Sequence, residues 1–167
     1  MLEHCRTAQE RWGGVHTLID RWLEQRHDLL VRFVTLTDAC EADIDTVSKR
    51  RIDALSEALM DYVSAGHFEI YPQLREEAKA FEDAKALEVA DRLLARVETS
   101  TRMALDFEAD YATSADCQRH RERLPTWLGR LSDALSERFV LEEQLIERVH
   151  AIHAPMETPT VVDRDVP

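Results

Sequence analysis

The stretch VHTLIDRWLEQRHDLLVRFVTL, residues 15–36, indicates the fold most clearly. Its apolar side chains recur every three or four residues, which is the spacing that places them on one face of an α-helix. The stripe predicts a long amphipathic helix within about residues 4–37. Because glycine is unfavourable inside a helix, the pair Gly13-Gly14 is expected to separate a short first helix from a longer one. The predicted core positions of this segment are Val15, Ile19, Trp22, Leu29, Phe33 and Leu36.

Three other long segments show the same period, over about 43–65, 83–115 and 118–153, and a shorter helical piece is expected over 67–81. Short connections between them make neighbouring helices antiparallel. We therefore expect an all-α fold, an up-and-down antiparallel four-helix bundle with one or two additional short helices. Residues 1–153 form a single domain in this prediction, and 154–167, with three prolines, form a flexible C-terminal tail. The further core positions are Ile52, Leu55, Leu59, Tyr62, Ala90, Leu94, Val97, Leu105, Tyr111, Leu128, Leu131, Leu135, Phe139, Ile146 and Val149.

The junction between the second segment and the short piece reads DYVSAGHFEIY, residues 61–71. Gly66 is expected to end the helix in the left-handed conformation that glycine adopts easily. His67 then begins an exposed connection. Pro72 either lies in the first turn of the next helix or bends a continuous one, because proline lacks the N–H that a helix interior needs.

The composition restricts the partners of the protein. The chain has 167 residues, with 33 acidic against 21 Lys and Arg side chains and a formal net charge of −12. Direct binding of DNA or RNA is not expected, since cations must neutralise the phosphates, whereas a basic protein partner suits this charge. No apolar run approaches 18 residues, so we expect no membrane segment and a cytoplasmic protein. Free thiols are expected at Cys5, Cys40 and Cys117.

Two charged residues fall in core phase. Arg26 continues the first stripe and Glu142 continues the fourth, so both are expected at a similar level of the bundle. They form either a buried salt bridge or a polar pocket that a partner side chain could enter, and the sequence leaves both open. A row of small residues on the second helix contains one charge, Asp61, among Ala54, Ala58 and Ala65.

The sequence also contains motifs that resemble those of enzymes and signalling proteins. Two E-x-x-H pairs, Glu24/His27 and Glu147/His150, resemble half of a di-iron site in a helical bundle. Glu24, however, lies about 160° around the helix from the core residue Trp22, and so should face water. His16 lacks the Lys-Gly expected after a phosphotransfer histidine. We predict no catalytic residue, no metal site and no cofactor, with a metal-dependent enzyme or a histidine phosphotransfer bundle as alternatives.

Three stretches resemble the regulator of sigma D (Rsd/AlgQ) family, namely LIDRWLEQRHDLLV (18–31), LMDYVSAGHFEIY (59–71) and ERFVLEEQLI (137–146). The segment CRTAQERWGGVH (5–16) is especially similar to the AlgQ branch, which is associated with alginate and siderophore genes. The resemblance implies an anti-sigma factor that binds the primary sigma factor and keeps it from core RNA polymerase. Its expected target is the C-terminal domain of sigma, a basic helix-turn-helix that reads the −35 promoter element.

The resemblance also implies where sigma binds. Asp61 is expected to pair with an arginine of sigma, and Phe68 and Tyr71 are expected to supply aromatic anchorage. His67 and Glu69 are further expected contacts. The same polar surface is bordered by Asp20, Arg21 and Arg26, whereas Trp22 and Tyr62 are expected in the core. Nothing in the apolar pattern demands a dimer, so a monomer is expected.

Overall fold

The computed structural model describes residues 7–156, and these are helical almost throughout, with no β-strand among them. The all-α prediction is therefore confirmed. The α-helices are α1 (Ala8–Ala42), α2 (Lys49–Ala65), α3 (Tyr71–Ala80), α4 (Ala84–Asp110), α5 (Ser114–Arg119) and α6 (Leu124–Leu145). Two π-helical turns, Gly66–Ile70 and Ile146–His150, follow α2 and α6, and short 3₁₀ turns lie at Ile44–Thr46, Arg121–Arg123 and Ala151–His153.

Helix α1 begins with a side-chain cap and continues without a break. The Thr7 hydroxyl accepts a hydrogen bond from the Glu10 N–H at 3.1 Å, which satisfies one of the free donors of the first turn. The predicted interruption at Gly13 is wrong, because α1 is helical through that position. A glycine costs up to about 1 kcal/mol in a helix, and burial of Val15, Ile19 and the other core residues of α1 outweighs that cost.

The predicted helix end at Gly66 is also wrong. Gly66 has right-handed dihedral angles, φ −57° and ψ −54°, and the backbone continues through the π-helical turn into α3. The Tyr71 N–H donates to the Gly66 carbonyl, five residues back, and Pro72 lies in the first turn of α3. Gly66 is needed here for close packing, because a Cβ atom would lie 3.1 Å from the Tyr71 ring and 3.2 Å from Trp22.

The other segment boundaries also move. Helix α2 begins only at Lys49, where the Ser48 hydroxyl accepts from the Arg51 N–H, so the predicted start at 43 is too early. The predicted segment 118–153 is divided into α5, a 3₁₀ turn and α6. The tail predicted over 154–167 lies outside the described residues from residue 157 onward. No helix within residues 7–156 is long and apolar enough to cross a membrane.

Contacts between the long helices run in opposite order along their partners. Trp12, near the start of α1, contacts His150, which follows α6, and Arg26, further along α1, contacts Glu142 within α6. Helix α1 therefore runs antiparallel to α6 and the turn after it. Between α1 and α2, Trp22 stacks on Tyr62 and Arg32 bonds to Ala54. Between α4 and α6, Arg96 meets Glu137 and Asp110 meets Trp127. These pairs of helices therefore run in opposite directions and enclose one core.

The predicted core stripes of α1 and α2 are confirmed, with only Phe33 partly exposed. The stripes of α4 and α6 are shifted by one residue in places. Leu105 is 47% exposed, and Leu94, Phe139 and Ile146 are only partly buried. The buried positions beside them are Leu93, Ala104, Arg138 and Leu145. At two of these positions the buried residue is one that the apolar pattern did not favour, namely the smaller Ala104 and the charged Arg138.

Candidate functional site

A buried polar cluster lies at the centre of the helices and consists of Arg26, Tyr62, Tyr71, Arg138 and Glu142, here called the central cluster. The Glu142 side chain has no exposed surface, and four groups donate hydrogen bonds to it. Oε1 accepts from the Tyr71 hydroxyl at 2.6 Å and from Arg138 Nε at 2.8 Å. Oε2 accepts from the Tyr62 hydroxyl and from Arg26 Nη2, the latter at 3.1 Å. With two donors on each oxygen, the hydrogen-bonding capacity of this buried carboxylate is satisfied by protein groups.

Arg138 connects this carboxylate to α4. Its Nη1 donates to the hydroxyls of Ser100 and Thr101 at 3.0 and 2.9 Å, and its Nη2 donates to the Tyr71 hydroxyl at 2.8 Å. Arg138 is itself buried, so each of these donors needs a partner. Among the described residues no buried side-chain nitrogen or oxygen lacks a hydrogen bond. The central cluster is thus a closed structure with its charges paired.

The two tyrosine hydroxyls of the cluster keep their protons. Burial, followed by the negative charge of Glu142, raises the pKa of Tyr62 well above its ordinary value. The same two causes raise the pKa of Tyr71. Both phenols therefore remain hydrogen-bond donors to Glu142 at physiological pH.

Arg26 reaches from the central cluster to the surface. Its Nη1 lies 2.5 Å from the exposed Glu143 carboxylate, and its side chain retains 12% of its accessible surface. The guanidinium also lies 4.7 Å from the centroid of the Phe139 ring, within range of a cation–π contact. Of the two alternatives left open by the sequence, the structure has Arg26 and Glu142 in direct contact, with no open pocket between them.

The exposed residues of the first π-helical turn form a small aromatic projection. His67, Phe68 and Glu69 are all exposed, and Phe68 retains 78% of its surface. The His67 and Phe68 rings are in edge-to-face contact with centroids 4.8 Å apart. Tyr71 does not belong to this surface. It is buried in the central cluster, so the prediction that Tyr71 provides an aromatic contact at the surface is wrong.

Asp61 lies on α2 between two polar grooves. One groove, between α1 and α2, is lined by Arg21, Glu24, Gln25, Asp28, Ala58 and Asp61. The other, between α2 and α4, is lined by Asp53, Ser56, Glu57, Met60, Asp61, Glu108, Tyr111 and Ala112. Both Asp61 and Asp20 are exposed, as is Arg21. Asp61 and Phe68 are seven residues apart on one continuous helical segment, about two turns along it.

The E-x-x-H motifs do not converge. Glu24, His27 and Glu147 are exposed, whereas His150 is buried against Glu77. Within residues 7–156 no group of three or more His, Cys, Asp or Glu side chains is placed to hold a metal ion. Cys40 and Cys117 are free thiols whose pKa burial raises, and Cys5 lies outside the described residues.

Sequence reasoning missed three buried charged or titratable residues, Arg138, Glu77 and His150. A signal existed for Arg138, which precedes Glu142 by one helical turn and could therefore pair with it. Glu77 and His150 are 73 residues apart and gave no local signal.

The amino-acid sequence is similar to that of a known protein family. Residues 1–150 match the family described as Regulator of RNA polymerase sigma(70) subunit, Rsd/AlgQ. The chain is 32% identical over 151 residues to the Regulator of sigma D of Salmonella typhi, covering 87% of this chain and 90% of that protein. It is 30% identical over 148 residues to the Regulator of sigma D of Enterobacter sp. (strain 638), covering 87% and 88%. The protein from Pectobacterium atrosepticum with the same name is 28% identical, covering 90% and 99%. The chain therefore belongs to the Rsd/AlgQ family of regulators of the RNA polymerase sigma(70) subunit.

Proposed function

We propose that this protein is a non-enzymatic anti-sigma factor that binds the C-terminal, −35-recognition domain of the primary sigma factor. By occupying that domain it lowers the use of sigma by core polymerase. It acts in the cytoplasm as a monomer, and its four long helical segments form an antiparallel up-and-down four-helix bundle. The similarity of residues 5–16 to the AlgQ branch extends the proposal to alginate and siderophore genes.

The observation that carries this proposal is that one helical segment presents both an exposed aromatic side chain, Phe68, and an exposed acidic one, Asp61, about two turns apart. Phe68 is 78% exposed and is the one aromatic side chain among the exposed large hydrophobic residues of the described part of the chain, so a partner that covers it gains an aromatic anchor. Asp61, two turns away, offers a charge to a basic partner. A helix-turn-helix that reads DNA carries a basic surface, so it complements both features.

The two side chains have different tasks in this proposal. Phe68 provides apolar area that leaves water on binding, which slows dissociation. Asp61 and the overall charge of −12 steer the basic domain and speed association. Glu69 and His67 flank Phe68 in the chain, Arg21 of α1 lines the same groove as Asp61, and Asp20 precedes Arg21.

The test is the binding of the purified full chain to purified primary sigma and to its isolated C-terminal domain. We expect both to bind, and we expect Phe68→Ala and Asp61→Arg each to weaken binding at least tenfold, about 1.4 kcal/mol. Raised salt should slow association of the wild type, because exposed charges are screened within about 8–10 Å at physiological ionic strength. In a reconstituted mixture the protein should also lower the amount of sigma bound to core polymerase.

Matched controls lie on helix α6, whereas Asp61 and Phe68 lie on α2 and the turn after it. Asp133 lines a groove between α4 and α6, and Val140 is an apolar residue of α6 that is 57% exposed. Asp133→Arg and Val140→Ala should leave binding within twofold of the wild type. Absence of any binding at low salt would reject the proposal. Equal losses in the control and test variants would reject the placement of the surface.

A further inference from the structure

A second polar cluster lies at the end of the helices where the chain enters α1 and leaves the second π-helical turn. It consists of Trp12, His16, Glu77 and His150 and is here called the terminal cluster. His150 Nδ1 lies 2.9 Å from both carboxylate oxygens of Glu77, and both side chains are buried. His150 Nε2 lies 3.1 Å from Nδ1 of His16. Trp12 donates from Nε1 to the His150 carbonyl at 2.8 Å.

The two imidazoles meet edge to edge beneath the indole. Their ring planes are within 15° of parallel with centroids 5.3 Å apart, and the Trp12 ring stacks on both, with centroids 4.8 Å from His16 and 4.5 Å from His150. The facing nitrogens therefore point at each other. Such a line of two nitrogens suits one hydrogen bond, and it does not suit chelation, where both lone pairs point at a common ion.

Counting protons shows what this geometry allows. Nδ1 of His150 lies within hydrogen-bond distance of both Glu77 oxygens, so it carries a proton and donates when Glu77 is a carboxylate. The gap between His150 Nε2 and His16 Nδ1 holds one proton, supplied by either ring. The pair keeps every hydrogen bond while it is neutral or carries one positive charge. A second positive charge would put a proton on each facing nitrogen, and the bond between the rings could no longer exist.

Charged and titratable groups surround the histidine pair on several elements. On α1, Asp20 lies 3.9 Å from the outer nitrogen of His16, and the Arg11 guanidinium acts on Glu77. On the other side, His153 pairs with Asp83 at 3.0 Å. Hydrogen bonding from the Ala86 N–H, and then from His153, lowers the pKa of Asp83, so its protonation falls below the usual carboxyl range.

Glu77 has the opposite effect on pH dependence. Burial raises the pKa of its carboxyl, so the folded form takes up this proton more readily than the unfolded chain. By itself this stabilises the fold as pH falls. Protonation of Glu77 therefore does not loosen the terminal cluster, and the hydrogen bond between the two imidazoles is the contact that an added proton would break.

We propose that His16 and His150 form a pH-sensitive latch that holds the first turns of α1 against the second π-helical turn and opens when the pair binds a second proton. His16 is the movable half, since its side chain is 50% exposed, whereas His150 is enclosed. On opening, His16 turns to water as an imidazolium, and Trp12 loses one of its two stacking partners. The latch concerns the protein alone and does not depend on sigma binding.

Amide hydrogen exchange of the full chain between pH 7.5 and 5 tests the latch. The protection factors of residues 12–19, corrected for the intrinsic exchange rate, should fall about tenfold per pH unit once one extra proton is bound on opening. His16→Gln keeps a hydrogen-bonding side chain that cannot take up the second proton, so its protection factors should stay flat. His153→Gln removes a histidine that pairs with a carboxylate but has no second ring nitrogen opposite it, and the fall should persist.

An independent measurement counts the protons. Nitrogen-detected NMR of the imidazoles at pH 7.5 should place a single proton between His16 Nδ1 and His150 Nε2. A flat profile in the wild type, or the same fall in His16→Gln as in the wild type, would overturn the latch. Two protonated facing nitrogens in the closed form would overturn it as well.

Discussion

The central and terminal clusters each bury a carboxylate, and they neutralise it by different means. Glu142 receives two arginines and two tyrosines, none of which changes its charge near neutral pH. The buried partner of Glu77 is instead a histidine, His150, and histidine is the residue type whose charge depends most on pH in that range. Equal burial of the two carboxylates therefore has different consequences. The charges of the central cluster stay the same over the physiological pH range, whereas those of the terminal cluster can change with pH.

The position of the two clusters suits this division. The central cluster joins α1, α2, α3, α4 and α6, so its loss would separate helices on every side. Among the described residues the terminal cluster joins the first turns of α1, helix α3 and the second π-helical turn. Local opening there leaves the rest of the core in place, as expected for a segment of low local stability.

Removal of Arg138 should give the largest loss of stability. Arg138→Met leaves Glu142 without its fully buried cation and removes the donor to the Ser100 and Thr101 hydroxyls, and we expect a loss of about 3–5 kcal/mol in the free energy of unfolding. Arg26→Met should lose clearly less, because its guanidinium is partly exposed and Arg138 remains beside Glu142. Urea unfolding at pH 7 measures both. Equal losses would mean that Arg26 is as essential to the centre as Arg138.

The same two arginines show how far the sequence could predict this centre. The apolar period placed Arg26 and Glu142 in core phase, because every neighbour on both stripes was apolar. Arg138 escaped notice since Phe139 beside it is the more apolar choice for that turn, although Phe139 is only partly buried. Helix phase fixed by several turns is therefore more informative than the hydrophobicity of one residue.

The terminal cluster could not be found from the sequence. His16 and His150 are 134 residues apart, and nothing near either one indicates a partner. The π-helical turn before Tyr71 was equally hidden, because glycine followed by an aromatic run and Pro72 is typical of a helix end. Packing of Gly66 onto Trp22 and Tyr71 decides the outcome, and that contact exists only in the folded chain.

Alkaline pH should affect the centre as mild acid affects the end. The pKa values of Tyr62 and Tyr71 are raised in the folded state, so above the unfolded value of about 10 the folded form holds more protons than the unfolded chain. That contribution is complete below pH 10 and is lost as the pH rises, by about 1.4 kcal/mol per tyrosine and pH unit.

Absorbance at 295 nm and urea unfolding between pH 9 and 11 test this expectation. The chain has three tyrosines, and burial also raises the pKa of the third, Tyr111, to about 12. The native protein should therefore show almost no phenolate at pH 10.5, and the urea-unfolded chain should show most of it. The double variant Tyr62→Phe/Tyr71→Phe should lose most of the pH dependence of stability. A native phenolate signal at pH 10 would contradict the enclosure of the centre.

Two glycines, one in each region, provide the smallest and most local test. At Gly66 a new Cβ atom would press on Tyr71 and Trp22 at 3.1–3.2 Å, so Gly66→Ala should destabilise by about 1–3 kcal/mol despite its better helix propensity. At Gly13, next to Trp12, nothing lies within 4 Å of the added Cβ. Gly13→Ala should stabilise by up to about 1 kcal/mol, because alanine loses less backbone entropy in a helix.

Gly129 in α6 also has open space around an added Cβ atom, so Gly129→Ala serves as a second control. Thermal unfolding at pH 7 gives all three values. If the central cluster is closely packed and Gly13 is not, the two alanine substitutions must change the stability in opposite directions. A stabilising effect of Gly66→Ala would show that Tyr71 and Trp22 can shift to accommodate the added methyl group.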